Sequence, residues 1–249
     1  MKIFENKEVE YYFITILLLT LVFAFNDKSS VFSVNYWIRN FFLILIVVLI
    51  SFLLSNYVHK LIAKRYYCSS IYELWTTRRI GFQPHQKAKI GKKEIAIPLG
   101  IILPLIITLL TNGLGYFPVI GTYKLIEDRI KRTGKIFIRM IGYERAIIYS
   151  AIPLTYLGLY FIFLLLTKVS GINFDLFINI NMWLALFSLL PLPNLIGAEI
   201  LFGSLPTYFF LTVFVVISVL LAPISIILAI LLALVLAFSV VIAYIKKIS

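Results

Sequence analysis

Few side chains in this sequence have the chemistry for catalysis or metal binding. Its 249 residues hold 2 histidines, 1 cysteine and 11 acidic residues. His59 ends an apolar run, His85 lies in the loop FQPHQK, and Cys68 follows a basic helix end. Cys68 stands alone, which excludes a disulfide framework and a cysteine metal site and leaves it as a small apolar residue at the membrane interface. His85, among Gln and Lys, reads as a solvated loop residue. Glu199 is the acidic residue in the late apolar region, either an interfacial carboxylate or a partner for His59. A histidine and a carboxylate fall short of the three protein ligands that catalytic zinc takes.

The elements that must carry these residues are apolar runs. Hydrophobic residues make up 61% of the chain, charged residues 14%, and mean hydropathy is +1.00. Soluble domains carry about 45–50% apolar and about 25% charged residues. The runs are Tyr11 to Phe25, Phe41 to Val58, Ile95 to Phe117, Ala146 to Leu166, Phe177 to Leu190 and Tyr208 to Ile245. The last would reach about 57 Å as one straight helix, against a hydrocarbon core of about 30 Å. Two spans turning near Pro223 are expected there. Ile95 to Phe117 is interrupted by Pro98, Gly100, Pro104, Gly113 and Gly115. The leader MKIFENKEVE contains Glu5, Glu8 and Glu10, unlike the basic start of a signal peptide, so the first run is expected to be retained.

Charge orients the runs. Most of the 23 Lys and Arg lie between Lys60 and Arg145, on both flanks of Ile95 to Phe117. Basic loops stay cytoplasmic, so this run should be re-entrant or lie along the membrane. Alternation of the others puts both termini inside the cell, Lys246 and Lys247 included. The net charge of +12 then sets topology and meets anionic lipid heads. Nucleic-acid binding is not expected, because no basic stripe is interleaved with a soluble fold.

Two segments carry a resemblance. LLSNYVHKLIAKRYYC, Leu53 to Cys68, resembles the zinc helix of the site-2 protease family of intramembrane metalloproteases, with its His-Glu-x-x-His motif. NMWLALFSLLPLPNLIGAEIL, Asn181 to Leu201, resembles that family's later helix, broken by Leu-Leu-Pro-x-Pro-Pro-Leu-Asp-Gly. AIPLTY, Ala151 to Tyr156, is a weaker, colinear third match to Ala-Gly-Pro-x-x-Asn. In the family, two histidines at i and i+4 reach one zinc ion, Glu is the general base and the later Asp completes the ligands. Here the first His position is Ser55, the Glu position Asn56 and the Asp position Ile196, while His59 keeps the second His position. Ser188 and Tyr156 stand where the family has Asn, and Ile152 where it has Gly. The resemblance therefore implies a degenerate member with neither catalytic residues nor a bound metal.

The expected fold is an all-α polytopic protein of the cell membrane. It has about six transmembrane helices and a re-entrant or membrane-associated strand region between the second and third spans. Residues 1–249 form one membrane domain: 1–33 the first span, 34–68 the second with the degenerate motif, and 69–145 the basic membrane-associated region. Residues 146–201 hold the core spans with the proline break, and 202–249 a helical hairpin. The resemblance assigns strands to Ile71–Lys93 and Gly121–Gly142, and a substrate groove to Asn181, Pro191, Pro193, Asn194 and Gly197. The expected function is a pseudoprotease that binds transmembrane segments of partner proteins, with membrane lipids around it and no cofactor. A divergent zinc metalloprotease using His59 and Glu199 is the alternative from the enzyme class. A transporter or lipid-binding protein is a third reading, and the near absence of charge within the runs counts against it.

Overall fold

Apolar runs without water must satisfy their backbone internally, and helices do so residue by residue. The computed structural model describes residues 6–26, 33–77, 89–90, 93–94, 96–128 and 140–248, and is mostly helical. His85 and much of the basic region, Arg78, Arg79, Lys87 and Lys131 among them, lie outside the described residues. In chain order come α1 (Asn6–Ala24), α2 (Val34–Arg65), β1 (Cys68–Leu74), β2 (Lys89–Ile90), β3 (Lys93–Glu94), α3 (Leu99–Leu110) and β4 (Gly121–Glu127). Then follow α4 (Gly142–Ser170), α5 (Asp175–Ser188), α6 (Ile196–Gly203), α7 (Leu205–Leu221) and α8 (Ile226–Ile248). β1 pairs with β4, and β2 with β3. Asp128 N–H bonds Tyr67 O at one end of the β1–β4 ladder and Trp75 N–H bonds Ile120 O at the other, so these strands are antiparallel.

Three described helices are long and apolar enough to cross a membrane: α2, α4 and α8. Six spans are therefore not carried by helix length and composition. α1 begins with Lys7, Glu8 and Glu10, which interrupt its apolar window. α5 has 14 residues and α7 has 17, at or below the lower limit of about 17 for a span. α3 has 12 residues, a rise of about 18 Å, because Pro98 precedes it and the αL pair Asn112–Gly113 ends it.

The chain divides into two compact units, Met1–Leu45 with Tyr72–Thr122 and Ile46–Ile71 with Tyr123–Ser249. In the first, the Trp37 indole N–H bonds Ala24 O, tying the start of α2 to the end of α1. Asn26 donates to Asn112 O at the end of α3. Gly100 N–H bonds Trp75 O, and a Cβ at Gly100 would collide with the Ile120 carbonyl, so only glycine fits this crossing.

In the second unit α4 is central and α8 peripheral: 61% of the most apolar window of α4 is buried, against 17% for α8. α8 packs on α7. Its buried face is Ala229, Ala233 and Ala237, small residues at every fourth position that let two backbones approach. Ile227, Leu231, Val235 and Ile242 on α8 are exposed, as hydrocarbon solvent requires. Pro223 sits in the turn between Leu221 and Ile226, where Lys168 donates to the carbonyls of Pro223 and Ile224 at 3.0 and 3.4 Å. Pro191 and Pro193 lie in the break between α5 and α6, and Tyr208 donates to the freed Leu189 carbonyl at 3.2 Å.

Gly142 and Gly203 bring the start of α4 against the end of α6, with a Cβ at either falling 2.6 Å from the other's carbonyl oxygen. Gly203→Ala should cost about 1–3 kcal/mol of stability through this overlap. Gly158→Ala, where a Cβ meets nothing within 4 Å, should be neutral or stabilising. Thermal unfolding of the two variants in nanodiscs checks the contrast, and equal losses would contradict it.

Candidate functional site

A histidine buried on an apolar helix must find an acceptor for its N–H. α2 turns Ser51, Ser55 and His59 to one face at spacings of four, and all three are fully buried. His59 Nδ1 lies 3.0 Å from the Ile148 carbonyl on α4. A carbonyl only accepts, so Nδ1 carries the proton and Nε2 presents a lone pair. Pro153 has no N–H to offer Tyr149 O, which loosens the α4 ladder beside Ile148. The rings of Tyr123 and Tyr149 cover the imidazole at 4.3 and 5.6 Å between centroids. His59 Nε2 has no hydrogen-bond partner among the described residues.

Asn56 is committed on both sides. Its Nδ2 donates to Phe52 O at 2.7 Å, one turn back, and its Oδ1 accepts from the Tyr123 hydroxyl at 2.6 Å. The Tyr149 hydroxyl donates to the Tyr123 carbonyl, so the residue that satisfies Asn56 is itself held by α4. Ser55 Oγ is buried on this face with no hydrogen-bond partner among the described residues. Tyr156, on α4, is buried as well.

The remaining candidates are placed elsewhere. Glu199, on the first turn of α6, forms its ion pair with Arg145 at 3.5 Å. Its side chain is 31% exposed, whereas His59 is fully buried, and of the two readings of Glu199, interfacial carboxylate or partner of His59, the pairing with His59 is not formed. The charge of Arg145, near the start of α4, offers Glu199 a partner that a buried imidazole does not. Ile196 begins α6, and Gly197 is buried where a Cβ would meet the Leu189 and Leu190 carbonyls at 2.4 Å. Asn181 is fully buried, donates to Phe177 O at 2.9 Å and leaves its Oδ1 without a partner among the described residues. Pro191, Pro193 and Asn194 are exposed, and Asn194 adopts a positive φ of 64°. Cys68 is buried beside Ala63 and Ile148, with its Sγ 3.7 Å from Met140 Sδ.

The donors around His59 do not suit zinc. Zinc takes imidazole nitrogen, thiolate sulfur and carboxylate oxygen. Against this imidazole lie the rings of Tyr123 and Tyr149, and the neighbouring Asn56 carboxamide has both of its polar atoms engaged. Among the described residues, no three or more His, Cys, Asp and Glu side chains gather into a possible metal group.

Sequence reasoning missed Tyr123 and Tyr149. The available signal was tyrosine within apolar sequence, where the ring packs and the hydroxyl still needs a partner. Tyr149 and Tyr156, seven residues apart, share one face of α4. Compared with family models, curated proteins and solved structures, the chain matches none.

Tyr123→Phe should orphan Asn56 Oδ1 and cost about 1–3 kcal/mol. Tyr123→Phe with Asn56→Leu should recover part of that loss, because both polar partners are then gone. A double-mutant cycle on unfolding in nanodiscs measures the coupling, and strictly additive losses would contradict the bond.

Proposed function

We propose that the chain is a non-catalytic relative of the site-2 proteases that binds transmembrane segments of partner proteins. The reading rests on the resemblance of Leu53–Cys68 and Asn181–Leu201, and its main support is the state of Asn56. At the position of the general base stands a carboxamide that cannot shuttle a proton and whose two polar atoms are already bonded. Ser55 and Ile196 replace the other ligands, and His59 binds a backbone carbonyl. Loss of the Asp is coherent with loss of the metal, since a carboxylate buried without a cation is an unpaired charge.

The protein is a multi-pass membrane protein of about six spans with both termini cytoplasmic. Ile95–Phe117 does not cross the bilayer. The shorter helices α1, α5 and α7 complete the set of spans by drawing on flanking residues. The break at Pro191 and Pro193 keeps backbone exposed beside α6 and supplies the groove for an unwound partner segment.

Detergent-purified protein without a metal-binding tag should hold less than about a tenth of an equivalent of zinc after incubation with excess. Partner proteins recovered with the chain should keep their full length in the presence of either the unaltered chain or His59→Ala. Specific cleavage that disappears with His59→Ala would refute the reading. Single cysteines placed at Lys28 and Lys247, in a Cys68→Ser background, should react from opposite sides of the membrane.

A further inference from the structure

We infer that Leu99–Ile120 is a re-entrant hairpin, dipping into the bilayer along α1 and presenting Leu109, Leu110 and Leu114 to lipid acyl chains. The two limbs meet at their roots. Gly100 N–H bonds Trp75 O and Trp75 N–H bonds Ile120 O, both at 2.9 Å, and Thr77 pairs with Ile97. A segment crossing the bilayer would hold its ends about 30 Å apart. Here a Cβ on Gly100 would collide with the Ile120 carbonyl. The helical limb rises about 18 Å from Gly100 to Asn112. The return from Gly113 to Ile120 can span at most about 25 Å, enough to close the hairpin.

The tip is fastened to the far end of α1. Asn26, just past that helix, donates to Asn112 O at 3.0 Å. Gly113, at φ 74°, lies so close that a Cβ would fall 2.6 Å from Asn26 Cβ. The Phe23 and Tyr116 rings are 5.1 Å apart. At its other end α1 meets β1, where Glu8 Oε1 accepts the Tyr72 N–H at 3.0 Å. α1 and α3 therefore run in the same direction, from the roots to the tip, and the tip is as deep as the end of α1. Backbone at membrane depth must be satisfied within the protein. The turn meets that demand: the N–H groups of Thr111, Asn112, Gly113 and Leu114 bond the carbonyls of Ile107, Leu109, Thr108 and Thr111, and Gly115 N–H bonds Thr111 Oγ1 at 3.1 Å. A turn in water can leave such groups to solvent. Side chains complete the case. Gly100, Pro104 and Thr108, at spacings of four, are the buried face of α3, while Leu110 and Leu114 at the tip are 81% and 77% exposed. Ile102 and Ile106 also face outward, and α1 likewise turns Val9, Phe13 and Leu17 outward. Acyl chains suit apolar faces that run the length of both helices, because hydrocarbon solvates them without directional contacts. The hairpin rests on the proposed reading that Ile95–Phe117 does not cross the bilayer, and adds that the segment dips instead of lying flat.

The test uses proteoliposomes of the full chain in a Cys68→Ser background, with one spin label at a time at Ile102, Ile106 or Leu110. Depth is read from relaxation by oxygen against a nickel chelate. A dipping helix rises about 6 Å between successive labels, so at least one neighbouring pair should differ in depth by about 4 Å or more. Equal depths at all three, as in a helix lying along the surface, would overturn the hairpin alone. Single cysteines at Lys93 and Lys124 should react from the same side of the vesicles. Reaction from opposite sides would overturn the hairpin together with the non-crossing reading. Should a labelled variant not fold, amide hydrogen exchange in the unaltered chain decides it. The Thr111–Gly115 amides should exchange about tenfold or more slower than free peptide, and exchange at the free-peptide rate would overturn the inference.

Discussion

A buried imidazole has to place its N–H somewhere, and in this chain the acceptor is the Ile148 carbonyl. Much of the second unit's polar interior follows from that bond. With Nδ1 fixed, the ring plane is fixed, and Tyr123 and Tyr149 pack over it. Their hydroxyls continue the chain of obligations: Tyr149 to the Tyr123 carbonyl, Tyr123 to Asn56, and Asn56 to Phe52 O. An orphaned buried polar atom costs about 1–3 kcal/mol, so each bond protects the next. The network joins α2, β4 and α4, elements far apart in sequence.

Much of the architecture was legible in the amino-acid order, because a chain in hydrocarbon has few ways to satisfy its backbone. Proline in an apolar run forfeits a hydrogen bond, and the helices do break around Pro223 and between Ser188 and Ile196. The limits of α1, α5 and α7 were less legible. Hydropathy measures a run of side chains, whereas helix length depends on caps, prolines and charges at the ends. The near neighbours of His59 on its own helix were readable from spacing alone. Tyr123 was not, since it lies sixty-four residues further along and meets His59 only through the placement of β4. Glu199 was read as an interfacial carboxylate or a partner for His59; it pairs with Arg145 across the α4–α6 contact, which spacing alone did not point to. Glu8 was noticed only as an acid in the leader; its place beside Tyr72 depends on how β1 lies against α1.

Packing between apolar helices is set by small residues and prolines: Ala229, Ala233 and Ala237 on α8, the Gly142–Gly203 approach, and Gly197 under the end of α5. None of these needs a metal. In the polar centre at His59 the Nδ1 and Asn56 bonds are made within the chain, while His59 Nε2, Ser51 Oγ and Ser55 Oγ have no hydrogen-bond partner among the described residues. Ser55 and Asn56 sit within this interior, with Asn56 bonded on both sides, and Ile196 is partly buried at the start of α6.

The most direct test of this account is the ¹⁵N chemical shift of the His59 imidazole, in protein labelled at histidine and carrying His85→Gln so that a single ring is observed. A proton on Nδ1 and a free lone pair on Nε2, unchanged by added zinc, is the predicted result. A proton on Nε2, or an Nε2 resonance that moves to a metal-bound position when zinc is added, would contradict it.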